Sequence, residues 1–162
     1  MSTKWYPLFL DLRGKPVVVV GGGAVATRKV RALVQAGARV TVISPEITGA
    51  LKRRRGLRWF ARAYRRGDLR GAVLVVAATN NLAVNRAVCA EGKQRGLLVN
   101  CAAPPEAGNF IVPAVARRAG VTVAVSTSGV SPARAKALRR ALEAWLRRRY
   151  PAAKKQRGSG KT

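Results

Sequence analysis

Val17-Val18-Val19-Val20-Gly21-Gly22-Gly23-Ala24-Val25-Ala26 runs four β-branched residues into three glycines, and Arg28-Lys29-Val30-Arg31-Ala32-Leu33-Val34 follows with helical spacing. A strand, a bare turn and a helix in that order let a phosphate approach the backbone. Glycine has no Cβ to block it, and the N–H groups at a helix start point outward. Gly21, Gly23 and Ala26 fit G-x-G-x-x-A, the alanine-ending form of the dinucleotide fingerprint. A glycine turn that merely packs helix on strand carries the same letters. The apolar strand near the N-terminus, followed by a helix and a second strand, favours a nucleotide site.

Working outward, Gly37 closes the helix and Ala38 to Ile43 alternates as a second strand. It ends on Ser44-Pro45-Glu46, where Glu46 lies about 20 residues beyond the turn, the spacing at which the fingerprint expects an acid for the ribose hydroxyls. A surface glutamate opening the next helix is the competing reading of Glu46. Ile47 to Arg55 reads as a short basic helix, Leu57 to Tyr64 as a strand and Arg65 to Gly71 as polar loop. Ala72 to Ala78 is almost continuously apolar, as a central parallel strand covered on both faces should be. Thr79-Asn80-Asn81 follows at its carboxyl end, where open α/β sheets keep their ligands.

A helix from Leu82 to Arg95, a strand from Leu97 to Cys101 and a proline-bearing loop from Ala102 to Gly108 complete the alternation. The expected fold class is α/β, a Rossmann-like doubly wound parallel sheet. From Asn109 the rhythm changes. Phe110 to Ala116 and Val121 to Ser126 flank Arg117-Arg118-Ala119-Gly120 as a β-hairpin. Ser131 and Pro132 then open a helix to about Tyr150 with Leu138, Leu142, Trp145 and Leu146 on one side. The reading divides the chain into a nucleotide-binding domain at 1–112, a dimerisation region at 113–150 and a basic disordered tail at 151–162.

The 162 residues carry 32 Lys and Arg against 6 Asp and Glu, a formal charge of +26. Such a surface attracts polyanions: nucleic acid held non-specifically, an anionic membrane, or a substrate bearing many carboxylates or phosphates. Solubility alone is the other reading. There is no histidine, and Cys89 and Cys101 lack the C-x-x-C spacing of a zinc site, so no metal centre is expected. The cysteines read as buried thiols in a reducing compartment or as one disulfide. No apolar run approaches the roughly 20 residues that span a bilayer, and the N-terminus has no signal-peptide core. The cytoplasm is the expected location.

The ordered set of motifs resembles the precorrin-2 dehydrogenase and sirohydrochlorin ferrochelatase family, the N-terminal module of siroheme synthases. The matching pieces include Tyr6-Pro7-Leu8-Phe9-Leu10-Asp11-Leu12, Gly21 to Lys29, Val40-Thr41-Val42 with Ser44-Pro45-Glu46, and Ala77-Ala78-Thr79-Asn80-Asn81. Val99-Asn100, Asn109 to Ala114, Val123 to Gly129 and Ser131-Pro132 continue the match through residue 147. The resemblance implies NAD as cofactor, oxidation of precorrin-2 to sirohydrochlorin, and a homodimer built by the region after Asn109. It implies dinucleotide contacts at Gly21, Gly22, Gly23, Ala24, Val25, Pro45 and Glu46; Ser44, Thr79 and Asn80, at the strand ends, are expected to join them. Substrate contacts are expected at Asn100, Asn109, Ser126, Thr127 and Ser128, with an anionic tetrapyrrole drawn in by Arg117, Arg134 and Arg139.

The family carries an aspartate shortly after the Val-Asn pair, thought to act as base and to assist metal insertion. Here that position is Ala103, and Glu106 is the nearest carboxylate, the candidate catalytic residue. The departure weakens ferrochelatase activity more than dehydrogenation, which mainly needs NAD and macrocycle held face to face. A catalytically silent nucleotide- or tetrapyrrole-binding protein of the same fold is the alternative. NAD and NADP are not separated by the sequence.

Overall fold

The computed structural model describes residues 5–151; the tail expected at 151–162 lies outside them beyond Pro151. The chain divides into two compact units, Tyr6–Ile111 and one that joins Trp5 to the residues from Val112 onward.

In the first unit, β1 (Pro16–Val20), β2 (Arg39–Ile43), β3 (Arg58–Phe60), β4 (Leu74–Ala77) and β5 (Leu98–Cys101) form one sheet in the order β3-β2-β1-β4-β5. Every pairing is parallel, and Val18 stands between Thr41 of β2 and Val75 of β4. β1 is central because its valines serve both faces. Val17 and Val19 pack with Val40, Val42, Leu74 and Val76 under Ala26 and Val30 of α1 (Ala24–Gln35). Val18 and Val20 pack on the opposite face with Ile43, Val75 and Ala77 under Val88 and Cys89 of α3 (Leu82–Gln94). Each such buried valine contributes about 1.5 kcal/mol or more.

Two elements are shorter than their sequence patterns suggest. The helix expected over Ile47 to Arg55 is one turn, α2 (Gly49–Lys52), because Ile47 is buried in the sheet's core and Thr48 is bound back to the glycine turn. The strand expected to Tyr64 stops at Phe60, since Arg62 turns away to make a two-pronged pair with Asp68 at 2.7 and 2.8 Å. The crossover from β3 to β4 therefore contains no helix. Leu69, wholly buried, plugs it into the core. Glu91 of α3 anchors it too, accepting from the Tyr64 hydroxyl, from the Gly67 N–H at 3.0 Å and from Arg95 Nε at 2.7 Å.

Cys89 and Cys101 are free and buried. Burial, with Cys101 beside it, pushes the Cys89 thiol up to about 12.

The second unit is an antiparallel hairpin, β6 (Ala114–Arg118) and β7 (Val121–Val125), with α4 (Pro132–Arg149) on it. The sequence reading assigns Arg117 and Arg118 to the turn; instead they pair with Thr122 and Val121. Ala119 and Gly120, at φ of 46° and 80°, make the whole turn. Two consecutive residues at positive φ match the right-handed twist of a tight hairpin, so no third or fourth turn residue is needed. The helix starts where expected, with Ser131 Oγ accepting from the Arg134 N–H at 3.2 Å. Leu146, Ala135 and Ala116 are buried, while Leu138, Trp145 and Val130 remain exposed.

Candidate functional site

The parallel sheet reverses its order between β1 and β4, the switch point outside whose carboxyl ends open α/β sheets keep their ligands. A cleft of about 400 Å³ opens at that point, lined by Ala24, Val25, Ala78, Thr79, Asn80, Leu82, Ala102 and Ala103. Its wall is aliphatic apart from Thr79 and Asn80, and none of its lining residues is of an ionisable type.

The three glycines have different reasons to be glycine. Gly21 sits at φ 119°, and a Cβ there would run into the carbonyl oxygen of Ala78. A Cβ on Gly22 would run into the carbonyl oxygen of Glu46. Both are demands of the protein's own packing. Gly23 is unlike them: its backbone is ordinary, at φ −78° and ψ −169°, and a Cβ would meet nothing within 4 Å. Among the described residues nothing requires glycine at 23, and the open space lies at the head of α1. No side chain caps that helix and no acidic residue occupies its first turn. The N–H groups of its first turn are therefore left facing outward with a net positive field.

The turn is locked to the β2–α2 connection. The Thr48 N–H donates to the Gly22 carbonyl at 3.0 Å, and the Thr27 and Thr48 hydroxyls meet at 2.8 Å. Ser44, Pro45 and Glu46 thus stand beside the glycines, with the Glu46 side chain exposed and Glu46 ahead of α2 rather than within it. Trp59 of β3 holds this connection from below, its indole N–H donating to the Ser44 carbonyl at 2.9 Å. Lys29, one turn behind Val25, is half-buried and has no carboxylate partner among the described residues. Burial, then the nearby Arg28 charge, lowers its pKa.

Thr79 and Asn80 both line the cleft, yet differ in what they offer. The Thr79 hydroxyl is engaged internally, with Asn85 Oδ1 at 2.7 Å, the Asn81 carbonyl at 3.0 Å and the Asn81 N–H at 3.1 Å. Asn80 is exposed and has no partner among the described residues. Asn81, not singled out as a site residue, caps α3 by accepting from the Val84 N–H at 3.1 Å.

Asn100 is buried on β5; its amide nitrogen donates to the Phe110 carbonyl at 3.2 Å, while its Oδ1 has no partner among the described residues. Asn109 completes the open edge of β5, accepting from the Val99 N–H at 2.7 Å and donating to the Leu97 carbonyl at 2.9 Å. Both ends of its amide are thereby used. Glu106 lies exposed on a short 3₁₀ turn (Pro105–Ala107) and is not among the cleft-lining residues, whereas Ala103 is.

Ser126, Thr127 and Ser128 belong to the hairpin–helix unit. There Ser126 Oγ accepts from the Ser128 N–H at 3.0 Å, and Thr127 Oγ1 donates to the Ser131 carbonyl at 2.9 Å.

Sequence reading passed over Asn85 and Trp59. Asn85 does leave a trace: with Val88, Cys89 and Gly92 it forms the buried face of α3, a polar residue in an apolar stripe. Trp59 leaves none, since a tryptophan in a strand is ordinary.

Residues 8–114 match the family model NAD_binding_7, which describes NAD(P)-binding domains. Among curated relatives, the siroheme synthase of Methylobacillus flagellatus is 43% identical over 147 residues, covering 89% of this chain and 32% of the relative. That of Ectopseudomonas mendocina is 40% identical over 148 residues, covering 91% and 32%. The chain thus spans about a third of the length of these relatives. Among solved structures, SirC, a precorrin-2 dehydrogenase, superposes with a TM-score of 0.76 at 34% identity, over 88% of this chain and 74% of that one.

Proposed function

The chain belongs to the NAD(P)-binding family whose model spans residues 8–114, and from that premise we propose that it seats a nicotinamide dinucleotide in the strand-end cleft and dehydrogenates precorrin-2 to sirohydrochlorin. The observation that carries the reading is the empty Cβ space at Gly23, beside an uncapped helix start and at the mouth of the cleft. The residues present fit the cofactor. The backbone N–H groups of Gly23, Ala24 and Val25 hold the pyrophosphate, with Gly21 and Gly22 shaping the turn, and Ser44, Pro45 and Glu46 flank the ribose. Ala78, Leu82, Ala102 and Ala103 give the cleft an apolar wall; Asn80 supplies a polar contact.

When bound, the nicotinamide supplies a hydride acceptor. The protein's share is positioning: it holds the two rings face to face and draws a polycarboxylate through its positive field. Loss of a hydride from precorrin-2 leaves a cation that must also lose a proton. No lining residue takes it, so it passes to water or to a carboxylate of the substrate itself. The reading is one of dehydrogenation, the activity by which the solved relative SirC is named.

The test is the purified protein with precorrin-2 and NAD, followed by NADH fluorescence. Repeated turnover is expected. Ala103→Asp, which sets a carboxylate on the cleft wall, should raise kcat about tenfold or more, as a positioned base does. A protein that binds NAD and tetrapyrrole but forms no NADH would instead be the silent binding protein, a reading favoured by the same absence of a titrating wall.

The partner on the hairpin–helix unit is a second copy. Leu138 is 44% and Trp145 50% exposed on a helix that buries only part of its apolar stripe, and Val130, in the turn just before it, is exposed too. Sedimentation equilibrium is expected to give about twice the 17.3 kDa chain mass, and Trp145→Glu to shift it toward the monomer. The basic charge also gives a non-specific, salt-sensitive hold on nucleic acid. No helix among the described residues is long and apolar enough to cross a membrane; the cytoplasm suits the reading.

A further inference from the structure

Asn85 is completely buried in the first third of α3, where an apolar residue would be expected. All four of its side-chain hydrogen-bonding positions are filled. Oδ1 accepts from the Thr79 N–H at 3.0 Å and from the Thr79 hydroxyl at 2.7 Å. Nδ2 donates to the Thr79 carbonyl at 3.1 Å and to the Ala103 carbonyl at 2.8 Å. Thr79 follows β4 and Ala103 follows β5, and both line the cleft. Strand ladders fix β4 and β5 only as far as Ala77 and Cys101. Beyond that point a single further backbone bond, Ala102 N–H to Ala77 carbonyl, ties the two segments directly. Asn85 reaches both from behind, and no shorter or apolar side chain bonds both.

We infer that Asn85 is the positioning residue of the cleft: it clamps the loops after β4 and β5 to each other and so sets the width of the slot that receives the nicotinamide end of the dinucleotide. The inference rests on the proposed dinucleotide reading. Asn85 touches neither cofactor nor substrate. It acts through Thr79 and Ala103, turning their backbone polar groups inward so that the wall presented to the ring is a methyl-lined surface. A slot held to a few tenths of an ångström matters for hydride transfer, because small misplacements of reacting rings are costly in rate.

Two variants test it. Asn85→Asp keeps the shape and both acceptor bonds to Thr79 but loses the donors to the Thr79 and Ala103 carbonyls. Asn85→Ala loses all four bonds. Hydrogen exchange at the Thr79 amide, which bonds Asn85 Oδ1 directly, is read first, with thermal melting to show that each variant folds. In Asn85→Ala the Thr79 amide should exchange at least about tenfold faster while the β1 and β4 amides stay protected. Dissociation constants for NAD and NADP come second, expected to rise between about tenfold and a hundredfold in both folded variants, with kcat falling more than the precorrin-2 KM changes.

A merely structural asparagine would lower the melting temperature and leave the affinity of the folded fraction at the wild-type value. That result overturns the inference, as does a Thr79 amide that stays protected in Asn85→Ala. If the wild-type protein binds neither nucleotide, the dinucleotide reading falls, and the slot-setting role with it, whatever the exchange data show for the loops.

Discussion

Gly22→Ala is expected to destabilise the protein by on the order of 3 kcal/mol, while Gly23→Ala, one residue away, leaves stability nearly untouched and removes most of the dinucleotide affinity. The added methyl is the same; what it meets is not. At 22 it would overlap the carbonyl oxygen of Glu46, a backbone atom that cannot rotate aside. The connection there is itself pinned by the Thr48 N–H on the Gly22 carbonyl. Either β2 and α2 shift away from the turn or α1 does, and both carry buried core residues. A melting-temperature drop of about 10 °C is the expected readout.

At 23 the methyl enters open space on a backbone that alanine adopts freely. Alanine is a poorer helix-capping residue than glycine, so a cost under about 1 kcal/mol is expected. A phosphate approaching the first-turn N–H groups would meet that methyl, and affinity for NAD should fall on the order of a hundredfold, about 2.7 kcal/mol. Calorimetry and thermal melting on the two variants separate the cases. Equal nucleotide affinity in Gly23→Ala and wild type would remove the turn from the binding site.

Glu91→Ala should weaken the protein by about 3 kcal/mol, the cost typical of deleting one member of a buried, hydrogen-bonded charge set. Glu91 is only 4% exposed. Its loss strands the Tyr64 hydroxyl and the Gly67 N–H and frees Arg95, so the helix-free crossover from β3 to β4 loses its anchor on α3. Burial alone would raise the Glu91 pKa; the Tyr64 hydroxyl, the Gly67 N–H and Arg95 outweigh it and leave the carboxyl below its ordinary value. Arg62 does the same for Asp68.

Both carboxylates therefore bind protons more weakly when folded than when unfolded. Their contribution is complete above the unfolded carboxylate values near about 4 and fades as pH falls through the lowered folded values. Urea midpoints measured between about pH 7 and about pH 3 should show a steep acid loss in wild type. Glu91→Gln should start lower at neutral pH and show a shallower loss. Parallel curves for the two would mean that Glu91 titrates alike in both states.

The β-branched run at Val17 to Val20, the glycine turn and the period of the following helix were enough, without coordinates, to place the first strand, its turn and α1; that this strand, rather than the one at Ala72 to Ala78, is the middle of the sheet was not legible. Local chemistry decides such features: a valine run has few alternatives to a buried strand, and only glycine reaches the backbone of Gly21. The hairpin and the start of α4 were legible for the same reason, from turn and cap residues acting on their immediate neighbours. Where strand β3 ends was not, because the choice lies with Arg62 and Asp68 six residues apart.

Which glycine serves the fold and which is free for a ligand also waited on the tertiary structure, since Ala78 and Glu46 are distant in sequence from the turn they press against. So did the cleft's wall. Asn85, Thr79 and Ala103 come from one helix and two strand ends, and their hydrogen bonds exist only once the sheet has brought those ends together. What neighbours along the chain can settle was written in the sequence; what depends on long-range packing, including the bonds of Asn85 to Thr79 and Ala103, was settled by the fold.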